Sequence, residues 1–146
     1  MSVETLRLLE RVHGHLGWLA VAALAHPAIV LRNPQRRARL SALLSTLLVG
    51  ATFALGAFIY GDFSRGGLRR ALYVASPTEG RLFERKEHLA VAVLALAIAG
   101  CVTHLFAHDR AAPARARFAH RSFVFAALIA AATATMGTLV AAFKSW

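Results

Sequence analysis

Apolar residues along this chain gather into four long blocks, Leu16 to Leu31, Leu40 to Tyr60, Leu89 to Phe106 and Phe118 to Phe143, with no charged residue in the middle of any of them. Each block has, or nearly has, the ~20 residues needed to cross ~30 Å of hydrocarbon as a helix. A helix on the surface of a soluble protein would carry a polar stripe along one side, and none of these blocks has one. The pattern predicts an all-α fold: an integral membrane antiparallel four-helix bundle running up-down-up-down. It forms a single transmembrane domain over residues 1–146, with helices over 3–31, 34–60, 77–107 and 113–144.

Local signals set the expected ends of those helices. Ser2 is a candidate cap for a helix starting near Val3, whose first turns, Glu4 to Arg11, are amphipathic. Arg7 and Arg11 ahead of an apolar run resemble a signal peptide. The run is too long for one and ends in Leu31-Arg32-Asn33-Pro34 without small cleavage-site residues, so a retained first helix is expected. Asn33-Pro34 reads as cap and first position of the second helix. Tyr60-Gly61 reads as its end, glycine being the usual terminator. Within the long connection, residues 64–75 place Leu68, Ala71, Leu72 and Ala75 opposite Arg65, Arg69 and Arg70, as in a short interfacial helix. Ser76-Pro77-Thr78-Glu79 is a capping box for the third helix, and Pro113 opens the fourth. Two lines of small residues at spacing four, Ala42-Thr46-Gly50-Ala54 and Ala126-Ala130-Ala134-Thr138, suit close helix contact in lipid.

Composition agrees with this picture. The chain is 58% hydrophobic and 16% charged, against roughly 45–50% and about 25% for soluble domains. The single cysteine, Cys101, lies inside an apolar block, so neither a disulfide framework nor a cysteine metal site is available. The net charge of +10 sits between the blocks, where membrane orientation and anionic lipid head groups account for it, so no nucleic-acid partner is expected. The two short connections hold eight basic residues and one acid, Asp109; the termini and long connection hold nine basic and six acidic residues. Charge density therefore places the short tips in the cytoplasm and both termini on the non-cytoplasmic side of the cell inner (plasma) membrane.

Seven histidines are the chemical feature of the sequence. His13, His15 and His88 fall towards the termini; His26, His104, His108 and His120 fall towards the short tips. A b-type haem takes axial imidazoles from opposite sides. In the expected topology His26 and His104 are level near one face, and His15 and His88 near the other. His15 and His26 are about three turns apart, ~16 Å along one face. His88 and His104 are ~160° apart around their helix, which makes one haem easier to build than two. Gly14, Gly17 and Gly100 leave room for a porphyrin, and the arginines are partners for propionates. His26-Pro27 adds a kink suited to a ligand or quinone pocket. The alternative is interfacial histidines bonded to backbone, water or lipid phosphate.

A second cluster of metal-ligand types is Glu10 and His13 on the first helix with Glu84, Glu87 and His88 on the third, spacings that recur in di-metal carboxylate bundles. Asp62 lies on the same side. Ordinary salt bridging on wet helix ends explains the same residues. Tyr60, Tyr73, Trp18 and Trp146 are expected in the aromatic belt.

With His15, His26, His88 and His104 on its spans, the chain resembles in outline the small membrane cytochromes b and related respiratory membrane anchors. The resemblance covers the spans and leaves out the long connection. It implies haem b, with quinone as a further ligand, and electron transfer to other membrane or redox subunits. Beside it stand a cofactor-free accessory subunit of a larger membrane complex, and a metal-dependent membrane enzyme or transporter using the Glu/His cluster.

Overall fold

The computed structural model describes residues 2–33, 35–65, 67–106 and 113–143, apart from the side chains of Phe63 and Leu68. These residues form five helices: α1 (Val3–Val30), α2 (Arg39–Arg65), α3 (Leu68–Ala75), α4 (Pro77–Phe106) and α5 (Pro113–Phe143). Among the described residues there is no strand.

Several helix ends follow from local chemistry. The Ser2 side chain accepts from the Thr5 backbone N–H at 3.2 Å, satisfying one of the unpaired donors of the first turn of α1. Ser76 serves two helices at once. Its own N–H closes α3 on the Leu72 carbonyl (2.9 Å), and its hydroxyl accepts from the Glu79 N–H at the start of α4 (3.4 Å). Only half of the capping box forms, because the N–H that the Glu79 side chain would accept from is already engaged by α3.

Two expected ends move. α2 starts at Arg39, not at Pro34, whose own placement lies outside the described residues. The Asn33 side chain accepts from the Gln35 N–H (3.0 Å), and the Asn33 carbonyl from the Arg36 N–H (3.1 Å). Asparagine thus closes a turn on itself instead of capping a helix, and Arg36 and Arg37 stay in the connection. At its other end α2 runs through Gly61 to Arg65, where the Arg65 Nε donates to the Gly61 carbonyl (2.9 Å). The break comes at Gly67, whose φ of 75° suits a residue without a Cβ. The short helix expected over 64–75 is correspondingly α3 alone.

Among the described residues three helices are long and apolar enough to cross a membrane: Arg39–Asp62 of α2, α4 and α5, with mean hydropathies of 2.1, 2.3 and 2.0. Only 22% of each apolar stretch is buried within the molecule, so the larger part faces outward and needs an apolar solvent. α1 is not in this group. His13, His15, His26 and Pro27, with Gly14 and Gly17, dilute its apolar residues.

The long helices pack in the ring α1–α2–α4–α5, closed by α5 on α1, while α3 lies against α4 and α2. The interior is filled by Leu24, Ala42, Ala97, Ala119, Phe123 and Ala126, all fully buried. Cross-helix hydrogen bonds tie neighbours together. Thr46 Oγ1 shares its proton between the Ala42 carbonyl of its own helix (2.8 Å) and the Ala97 carbonyl of α4 (3.2 Å), and Trp18 Nε1 donates to Thr138 Oγ1 (3.2 Å). Of the two small-residue lines, Ala42, Thr46, Ala126 and Ala130 meet neighbours, whereas Ala54 is exposed. Cys101 is buried in the main core.

Candidate functional site

The expected haem ligands take up separate surroundings. His15, His26 and His88 are exposed. His104 is half-buried, and its Nε2 accepts a hydrogen bond from the Ala38 backbone N–H at 3.2 Å. Ala38 precedes the first turn of α2, so its N–H has no partner inside that helix. His104 therefore acts as a cap supplied by a different helix. α1 and α4 do not adjoin in the ring, and Leu24 of α1, Ala97 of α4 and Phe123 of α5 belong to one buried core. The room expected at Gly100 is taken too: a Cβ there would lie 3.1 Å from both the Phe123 ring and the Ser122 Cβ. Gly14 and Gly17 face open space. His108 lies outside the described residues.

At the opposite end, α2, α3 and α4 build a polar cluster from residues that the sequence pattern assigns partly to an aromatic belt and partly to a metal set. Arg69 of α3 donates to the Tyr60 hydroxyl (3.0 Å) and to the Glu84 carboxylate. The Tyr73 phenol lies against the same carboxylate. The Tyr60 ring stacks on Phe83, with centroids 6.5 Å apart and 13° between the planes, and Lys86 Nζ sits 4.6 Å from the Phe83 centroid. Gly80 is required here, since a Cβ would fall 2.7 Å from the Tyr73 ring. Beneath the cluster, Leu72, Phe83 and Val140 form a small core of their own. The arrangement locks α3 down on α4. Its signal in sequence is the amphipathic phase of residues 68–75, which marks a docked helix without naming its partners.

The Glu/His set is distributed differently from a metal centre. Glu84 is engaged by Arg69 and Tyr73, and His88 Nδ1 bonds the Glu84 backbone carbonyl at 2.8 Å. The ring of His13 sits in the niche left by Gly56, where a Cβ would lie 2.8 Å from its Cε1, and its Nδ1 is buried there without a hydrogen-bond partner. Glu10 lies near His13, and Glu87 near Arg69, Lys86 and His88. Among the described residues no group of three or more His, Cys, Asp or Glu side chains comes together as a metal ion requires. Asp62 pairs with Arg65 at 3.6 Å. Trp146 lies outside the described residues, and Trp18 bonds Thr138.

Tyr73 gives this cluster a pH signature. Its hydrogen bond to Glu84, followed by burial, holds the phenol above its ordinary value. A group whose folded value is raised contributes stability that is complete below the unfolded value, about pH 10, and is lost as pH climbs through the folded one. Tyr73→Phe is expected to abolish that alkaline loss. Tyrosinate absorbance against pH checks it directly, because Tyr60 is the only other tyrosine. A Tyr73→Phe variant that loses stability at alkaline pH as the wild type does would refute the Tyr73–Glu84 interaction.

Comparison with protein-family models, curated proteins and solved structures finds no match to this chain. What the molecule does has to be argued from its own geometry.

Proposed function

We propose that the protein is an integral membrane antiparallel four-helix bundle, with α1 as its fourth span, that acts by packing as a cofactor-free accessory subunit of a larger membrane complex. The observation that carries this reading is the filled interior, where Leu24 and Phe123 are fully buried between helices that would otherwise have to part for a prosthetic group. The polar groups support it as well. His104 closes α2, and Tyr60, Tyr73, Arg69 and Glu84 tie down α3. The 22% burial of the spanning stretches leaves wide apolar faces for lipid and neighbouring subunits. Phe125 and Leu128 stand out on α5. In native gels of gently solubilised membranes, the chain is expected to migrate well above its own 15.7 kDa, and Leu128→Arg with Phe125→Arg to release it. Migration as a lone chain in every mild detergent would remove the reading.

A b-haem electron-transfer protein is the second reading, and His88 favours it. With Nδ1 held by the Glu84 carbonyl, Nε2 of this exposed imidazole is oriented outward, as in a metal-ligating histidine fixed through its other nitrogen. His15 lies towards the same end of α1, so a haem held at this end would use His15 and His88; the His26–His104 pair would require His104 to release Ala38. A reduced-minus-oxidised spectrum of the purified protein separates the two readings, since a b-type α-band would favour haem over the cofactor-free subunit.

A further inference from the structure

The geometry points to a binding site for one anionic phospholipid in the groove between the C-terminal end of α4 and the N-terminal end of α5, with Arg115 gripping the phosphate. The inference rests on the proposed membrane placement. The groove has a volume of about 540 Å³ and is open along its length; Val102, Thr103, Phe106, Ala114, Arg115 and Phe118 line it. Its walls are mostly apolar, yet they include the Arg115 guanidinium. Val102, Phe106 and Phe118 are 47%, 68% and 53% exposed, too much apolar surface to leave to water at the end of a helix pair. An acyl chain fits such walls, and a phosphodiester fits the arginine, whose planar fork matches phosphate oxygens.

The charge around the groove selects the sign of the head group. Arg117 and Arg121 follow on α5. The same end of the molecule, joined through the Ala38–His104 hydrogen bond, carries Arg32, Arg36, Arg37 and Arg39. Every acid among the described residues lies on the α1 N-terminal turns, at the end of α2 or on the first turns of α4, which is the opposite end. Asp109 and Arg110 lie outside the described residues. A zwitterionic head group would bring its own cation into this field and gain less than an anionic one.

The test uses the full chain, purified in a mild non-ionic detergent and titrated with phosphatidylglycerol or phosphatidylcholine, with bound lipid counted by native mass spectrometry. Wild-type protein is expected to retain one phosphatidylglycerol about fivefold more tightly than phosphatidylcholine, the equivalent of one arginine at a membrane surface. Arg115→Gln should erase that preference, while Arg70→Gln, at the other end, should keep it. Thr103→Trp, which fills the groove and leaves Arg115 in place, should also lose the lipid; it keeps the inference testable if Arg115→Gln does not fold. Inorganic phosphate at the same concentration should not displace the lipid. Equal retention of the two lipids, an unchanged Arg115→Gln, or displacement by free phosphate would each overturn the site. Release of the chain from membranes by alkaline carbonate would instead overturn the membrane reading, and the site with it.

Discussion

Phe123→Ala is expected to destabilise the protein by about 2–4 kcal/mol, the largest effect of any single truncation in this core. Phe123 is fully buried and touches the Gly100 backbone side of α4, where an added Cβ would sit 3.1 Å from its ring. It shares its core with Leu24, Ala97, Cys101 and Ala126, so removing the ring empties space that three helices border. Soluble cores lose about 3–5 kcal/mol for such a change. Part of that loss is transfer from water, and this part is absent when the separated helices remain in lipid. What remains is the cavity and its lost dispersion contacts. Phe125→Ala, two residues away and 54% exposed, is expected to change stability by less than about 0.5 kcal/mol. Reversible unfolding in mixed micelles of mild detergent and dodecyl sulfate compares the two. Equal losses would show that α4 and α5 do not meet at Phe123.

The sequence is readable wherever the cause of structure lies within a few residues. Ser2, Pro77 and Pro113 open helices because serine oxygen and proline φ act on the adjoining turn, and the amphipathic phase of residues 68–75 does mark a helix. Asn33 shows the limit even of local reading: its side chain is equally able to cap a helix or close a turn, and the Gln35 N–H takes it. Gly61 and Gly67 are alike in sequence, yet only Gly67 has the positive φ that ends α2, since Arg65 binds back to Gly61 and keeps the helix going. α1 reads as apolar by eye, but its three histidines and Pro27 set it apart from the three helices that are long and apolar enough to cross a membrane.

The candidate site is much less legible because its partners are distant in the chain. Nothing near Tyr60 reveals that Arg69 will reach it. Nothing near Glu84 shows that Arg69 and Tyr73 will converge on one carboxylate. Level and helical phase correctly put His104 near an end of its helix. They could not show that its ring would meet a backbone N–H 66 residues earlier, because that depends on where α2 begins, and α2 begins later than Asn33-Pro34 suggests. The same displacement brings the Ala38 N–H to the imidazole of a candidate iron ligand.

That cap leads to the second large effect. His104→Ala is expected to cost about 1–3 kcal/mol, the penalty for leaving a buried donor without a partner. Ala38 is 6% exposed, and its carbonyl already accepts the first bond of α2, from the Ala42 N–H at 2.8 Å. Its own N–H points away from the helix, towards His104. Alanine at the cap position supplies no side-chain acceptor, so without the imidazole the start of α2 has nothing to anchor it to α4. The loss should be local as well as global. Amide hydrogen exchange is expected to accelerate over residues 36–42 and to stay unchanged over α3, which the Arg69–Glu84–Tyr73 cluster holds independently. His104→Gln, whose amide oxygen reaches about as far as Nε2, should restore part of the protection. His26→Ala, on an exposed residue, should alter neither stability nor exchange. Unchanged exchange at residues 36–42 in His104→Ala would mean that α2 needs no cap from α4, and His104 would again be free to serve as a ligand.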